Sequence, residues 1–330
     1  MINVNWQGSP AHMLFLSKFL SRKTIDYYDM REEWKAALGE HPQEAIKRYL
    51  DDDMIKYSDL HDLLDYKYKV PELKVMCKER DLPVSGRKGD LINRVIQANP
   101  EAAQNAVRGL KVLQCNEKGS VVAKQYLACE EEKRKSVELQ VLEALQNGKL
   151  KEACLIAASH EAEQVLPRFS FGSGQGNDPI RDKEKWKNYN STEDLAFLNL
   201  IFQNRPKLLA RLTEDQLRAV RIMAGMQYLC GYVETNLLPD DFKTELPIDN
   251  EMLPEMIYNY AKHQTDMDDY RKSGITQIEI LTCGPNDPSC CPACQKLGKK
   301  KYKIDEVPEL PYEKCTSNLG CRCVTDSVVF

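Results

Sequence analysis

The chain has 330 residues, 42% of them hydrophobic and 29% charged, with a formal net charge of −4. That length supports two or three domains with separate cores, and no stretch approaches the ~18 apolar residues of a membrane span. The opening "MINVNWQGSPAHMLFLSKFLSRK" has no basic leader and its apolar patch, Met13 to Leu20, is broken by Lys18, so no signal peptide and a cytoplasmic location are expected.

Charge is distributed unevenly. Residues 26–66 carry twelve acids against five bases, and residues 67–97 carry eight bases against four acids. The local contrast says more about partners than the total does.

The first 56 residues read as short helices. "DMREEWKAALG" ends at Gly39, and "HPQEAIKRYLDDD" has Pro42 in a first-turn position. Residues 57–98 form the next unit. Within it, Pro71 to Arg80 presents Leu73, Val75 and Met76 as a first helix, and Leu82-Pro83-Val84 must be extended because Pro83 disfavours helix at the residue before it. Ser85 reads as the N-cap of a second helix in which Leu91, Ile92, Val95 and Ile96 recur at helical spacing. Arg87 and Lys88 then fall in its first turn. Cations do not suit that end of a helix dipole, whereas cations together with exposed amides make a seat for phosphate.

The pattern of Val70, Leu73-Lys74, Leu82-Pro83, Ser85-Gly86-Arg87-Lys88, Leu91-Ile92 and Arg94 resembles the SAP domain, a helix–extended–helix module known for binding DNA. The resemblance implies weak, largely nonspecific and salt-sensitive contact through Lys74, Ser85, Gly86, Arg87, Lys88 and Arg94. Asp81 stands where the family usually has glycine. The acidic stretch upstream reads as a solvated helix surface, with competition against nucleic acid for the basic face as the alternative.

Residues 117–274 read as a helical middle domain. A charged helix runs from 117 to Gln146 and stops at Asn147-Gly148, and "KLKEACLIAASHEAEQVL" follows as its hairpin partner. Gly172-x-Gly174-x-Gly176 has no preceding strand and reads as a loop, not a dinucleotide fingerprint. Ser191 with Asp194 and Thr213 with Gln216 have the form of helix-start capping arrangements, and a further helix is expected over Glu251 to Lys272. His263 with Asp266 reads as a surface pair, and Glu131-x-Lys133 lacks the aspartate partner of a nuclease site.

Residues 275–330 hold seven of the twelve cysteines. "ITQIEIL" and "KKKYKI" read as paired strands flanking a C-x2-C turn, and from Cys291 the spacing is C-x2-C-x20-C-x5-C-x-C. Structural metal, disulfides and redox chemistry are the three readings. The expected reducing compartment and the absence of a βαβ context favour metal, and the absence of histidine favours a closed structural zinc site. Cys291, Cys294, Cys315 and Cys323 are the first-choice ligands, with Cys321 competing for the last place. Cys283 and Cys290 could form a second half-site. The remaining cysteines (Cys77, Cys115, Cys129, Cys154 and Cys230) read as small core residues. The "CPAC…GCRC" pattern is also similar to the tails of phage Mu F-like minor head proteins and of related uncharacterised bacterial proteins.

The sequence therefore predicts a mainly α, multi-domain bacterial or phage protein. It combines a SAP-like unit, a helical middle domain and a small β-containing, zinc-ribbon-like knuckle. The expected role is DNA association that tethers the middle domain or its protein partner. The alternatives are a nucleic-acid-processing enzyme with its active site in residues 117–282 and a phage head-assembly component.

Overall fold

Apolar residues at helical spacing, bounded by capping and stop residues, produce a mainly helical chain with two small antiparallel sheets. The computed structural model describes residues 6–28, 32–166, 184–231, 238, 242–283 and 290–328, so the glycine run at 172–176 lies outside the described residues. The chain divides into two units: Met1–Arg134 with Glu161–Lys187, and Lys135–His160 with Asn188–Phe330.

In the first unit, α1 (Pro10–Ser17), α2 (Glu32–Leu38) and α3 (Pro42–Asp51) enclose a core of Trp6, Phe15, Phe19, Trp34 and Tyr49. Pro10 and Pro42 occupy first turns, where their missing N–H costs nothing. Gly39 follows α2 at φ 70°, a left-handed stop that glycine adopts without strain.

This unit also contains a sheet that the sequence did not signal. Its strands are β1 (Lys23–Thr24), β2 (Ile55–Tyr57) and β3 (Val112–Cys115), in the order β1-β3-β2, with Lys23 opposite Leu113 and Ile55 opposite Cys115. Strands this short cannot display an alternating pattern, so long-range pairing defines them.

A second core in the same unit joins α4 (Leu60–Lys67), α5 (Val70–Lys78), α6 (Lys88–Ala98) and α7 (Pro100–Ala106) through Leu64, Leu73, Cys77, Leu91, Ile92, Val95, Ala103 and Val107. Asn99 ends α6 and caps α7, its Oδ1 accepting the Ala102 N–H at 2.9 Å. The helix–extended–helix motif is thus closed by a helix on either side.

The long helix α8 (Glu117–Gln146) starts against the Met54 carbonyl. A Cβ on Gly119 would lie 1.9 Å from that oxygen, so only glycine fits.

In the second unit, α9 (Leu150–Glu163), α10 (Thr192–Gln203), α11 (Glu214–Cys230) and α12 (Leu253–Lys272) pack around residues such as Leu145, Leu198, Leu217, Val220 and Met256. Thr213 and Gln216 form the expected capping box. Ser191, whose backbone at φ −69° and ψ 0° is not extended, caps nothing with its side chain, and the Asp194 carboxylate is turned to two tyrosines. The strands β4 (Gln277–Leu281), β5 (Lys301–Lys303) and β6 (Val324–Ser327) form a sheet in the order β5-β4-β6. Gln277 pairs with Lys303, and Ile280 with Thr325. β5 is an edge strand whose lysines discourage further pairing. The clustered cysteines belong to the same buried cluster as residues of α10 to α12.

Candidate functional site

The helix end at Lys88 is built by three local devices. α5 closes with the Leu82 N–H bonded to the Cys77 carbonyl at 2.9 Å and with Asp81 in the left-handed region at φ 54°. This is a Schellman stop with an aspartate where glycine is most at ease. The extended Leu82-to-Arg87 segment is then pinned by Arg94, whose Nη1 donates to the Pro83 carbonyl at 2.8 Å and to that of Ser85. Finally, the Asp90 carboxylate accepts the Arg87 N–H at 2.8 Å, which makes Arg87 the N-cap of α6 in place of the expected Ser85. Gly86, at φ 111°, leaves room for Asp90, since a Cβ there would meet its Oδ2 at 2.8 Å.

These contacts separate the predicted site residues. Ser85, Gly86, Arg87 and Lys88 are brought together at one helix end, and Lys74 is exposed on α5. Arg94 holds the loop with its guanidinium. Lys88 is only partly exposed and pairs with the Asp65 carboxylate of α4 at 3.1 Å. Asp65 also receives Arg22. Burial raises the Asp65 carboxyl, but the hydrogen bonds and charges of Lys88 and Arg22 outweigh it and hold the group below its ordinary value. The acidic stretch is therefore not merely solvated. The sequence showed its acids but nothing that would pair them with Arg22, which lies 40 residues or more upstream.

The second site is a set of buried thiols. Cys291 is the N-cap of α13 (Pro292–Gln295) and Cys294 lies within it, and Cys315, Cys321 and Cys323 are buried with them from the returning chain. The sulfurs of Cys291, Cys294 and Cys315 lie within 4.8 Å of one another, as do those of Cys294, Cys321 and Cys323. Cys291 Sγ is 3.9 Å from Cys315 Sγ, and Cys294 Sγ is 3.9 Å from Cys321 Sγ. No disulfide is present among the described cysteines.

The surroundings favour negative sulfur at Cys291 and Cys321, while the thiols of Cys294, Cys315 and Cys323 are pushed up by their sulfur neighbours and by burial. The Tyr312 N–H points at Cys321 Sγ at 3.2 Å. Contacts from Cys294, Cys315 and Cys323 pull the Cys321 thiol well below the usual range. Burial pushes Cys291 up, but backbone N–H groups of Thr316 and Cys294 prevail and bring it down to about 7. Such a donor set can hold a metal ion. Met256 of α12 supports it from below, its Sδ accepting the Cys321 N–H at 3.1 Å.

Of the other cysteines, Cys77 and Cys154 are buried as expected, but Cys115 and Cys230 are half-buried and Cys129 is exposed. His263 is 7% exposed and Asp266 pairs with Lys262, so these two are not a surface pair. Burial pushes the His263 imidazole down to about 4. Glu131 pairs with Arg134 and Lys133 with Glu130, as on an ordinary solvated helix face. Among the described residues the middle region holds a polar cluster that the sequence did not reveal: Tyr189 and Tyr228 both donate to Asp194 at 2.5 Å. Burial pushes the nearby Cys154 thiol up to about 11, which leaves it protonated and a poor nucleophile at neutral pH.

Residues 67–99 match the family model of the SAP domain. Comparison with curated proteins and with solved structures gave no match. The likeness of the cysteine-rich tail to Mu F-like head proteins gains no support from these comparisons. The SAP match implies association with nucleic acid, and among the described residues no helix is long and apolar enough to cross a membrane.

Proposed function

We propose that this chain associates with duplex DNA through the N-terminal end of α6 and carries a structural zinc ion in its second unit. The observation that carries the DNA reading is the SAP match on a helix–extended–helix segment, with Arg87 and Lys88 placed at a helix N-terminus. Amides and cations at one point suit a phosphodiester, whose contacts position a protein without reading sequence. Zinc is favoured by an all-thiolate donor set with no histidine, which leaves no open position for catalysis. The second unit is what this anchor delivers to DNA.

The DNA reading is tested by fluorescence anisotropy with a labelled duplex at low salt. Wild type binds with strong salt dependence, and the double substitution Arg87→Ala with Lys88→Ala weakens binding by roughly tenfold or more, the effect of removing two phosphate-neutralising cations. Equal binding by both proteins places the interface elsewhere.

A further inference from the structure

The cation at the first position of α6 is already occupied. Lys88 Nζ lies 3.1 Å from Asp65 Oδ1 and also donates to the Asp65 carbonyl. Arg22, just before β1, donates to both Asp62 and Asp65. Gln114 of β3 ties the set to the sheet: it accepts from Arg22 Nε at 3.2 Å and donates to Asp62 at 2.5 Å. Two cations and two carboxylates thus meet with no net charge. None of the four side chains is more than a third exposed, so water screens them incompletely. A phosphate approaching Lys88 meets an ammonium whose charge is cancelled and whose position is fixed from α4.

We propose that Asp62 and Asp65 act as an internal mask on the basic face, in which Asp65 occupies the place that a nucleic-acid phosphate takes on Lys88. The inference rests on the DNA reading of the α6 end. Engagement exchanges one anion for another: Lys88 leaves Asp65 for a phosphodiester oxygen, while Arg22 keeps both carboxylates from standing unpaired. The mask lowers affinity for isolated phosphates more than for a duplex, which also offers phosphates to Arg87 and Lys74.

The test compares wild type with Asp65→Asn, Asp62→Asn and the control Glu101→Gln, which removes an acid from α7 outside this cluster. Each is titrated with duplex DNA across a salt series, and thermal unfolding is followed alongside. Asp65→Asn is expected to bind roughly three- to tenfold more tightly at low salt, with a salt slope steeper by about one freed cation. Asp62→Asn gives a smaller gain and Glu101→Gln little change. Should Asp65→Asn fold poorly, Asp65→Glu keeps the charge and lengthens the reach, and amine-acylation of Lys88 in the folded wild type reads the mask directly: DNA alters its rate if Lys88 changes partner. An unchanged affinity in Asp65→Asn, or an equal gain in Glu101→Gln, overturns the mask while Arg87-dependent binding leaves the DNA reading standing. No binding by wild type and Asp65→Asn alike overturns both.

Discussion

The sulfurs of Cys294 and Cys321 lie 3.9 Å apart, the same distance that separates Cys291 from Cys315. These pairs share no residue, and the two three-sulfur groups they belong to meet at Cys294. A tetrahedron with metal–sulfur bonds of about 2.3 Å has sulfur–sulfur edges of about 3.8 Å. We propose on this basis that Cys321 rather than Cys323, the first choice from spacing, is the fourth ligand. The expected outcome is that Cys321→Ser weakens metal binding at least tenfold while Cys323→Ser stays within about threefold of wild type, since only the former removes a ligand. Elemental analysis of the purified variants and competition with a chromogenic chelator check both values.

Metal removal should be felt well beyond the cysteine loop. Cys291, Cys294, Cys315 and Cys321 share one buried cluster with Leu253, Met256 and Ile257 of α12, and Gly320 sits so near Met256 that a Cβ would meet its sulfur at 2.6 Å. A chelator is therefore expected to lower the unfolding temperature of the helical second unit, not only to fray its tail. Helix-specific circular dichroism, recorded with and without chelator and then with zinc restored, reads this coupling.

The extent to which the sequence disclosed this protein differs from place to place, for physical reasons. Helices whose ends carry their own chemistry were legible: Asn147-Gly148 stops α8 and Thr213 with Gln216 opens α11. The basic helix end was legible because Ser85-Gly86-Arg87-Lys88 lies in one local stretch. Its restraint was not, because Arg22, Asp62, Asp65 and Gln114 meet only through tertiary folding. β1, β2 and β3 are too short to carry a period, and β6 is a strand only because β4 lies beside it. Spacing found the five thiols and put Cys323 ahead of Cys321, but a single intervening residue leaves both within reach, so the order had no support from three-dimensional geometry.

The first unit should become less stable in acid through Glu40. This carboxylate accepts from His12 Nε2 at 2.8 Å and from both terminal nitrogens of Arg48, at 3.0 and 2.7 Å. Burial raises its carboxyl, but the hydrogen bonds from His12 and Arg48 win and hold it below the ordinary 4.5. A depressed carboxylate stabilises above its unfolded value, and that contribution fades as pH falls through the lower folded value. Glu40→Gln should therefore destabilise the unit by about 1–3 kcal/mol at pH 7, the worth of charge-assisted hydrogen bonds. The gap to wild type should close below pH 4.5. Urea unfolding across that range, followed by tryptophan fluorescence from Trp6 and Trp34, measures it.

Asp81 separates a backbone effect from a charge effect. It holds φ 54° at the stop of α5, where a non-glycine residue is strained by about 1 kcal/mol. Asp81→Gly should stabilise the helix–extended–helix core by roughly that amount, whereas Asp81→Asn should change stability little because it tolerates the same conformation. If the carboxylate also repels phosphate, both substitutions tighten DNA binding equally. Paired unfolding and binding measurements on the two variants assign each effect.

Arg94 offers the sharpest distinction between binding phosphate and positioning the loop. Sequence reasoning placed it among the DNA-binding cations, yet its Nη1 is spent on the carbonyls of Pro83 and Ser85. Arg94→Ala should then cost about 1 kcal/mol of stability, the net worth of such hydrogen bonds, and should weaken DNA binding by loosening Ser85 to Arg87. Arg94→Lys should not restore binding fully, because a flexible ammonium holds the two carbonyls less firmly than the rigid, planar guanidinium nitrogen does. Hydrogen exchange should accelerate at Gly86 and Arg87 and not at buried Leu91. The salt dependence decides the matter. Were Arg94 a direct phosphate ligand, its removal would lower the slope by about one, whereas removing a positioning group leaves the slope in place and lowers affinity at every salt concentration.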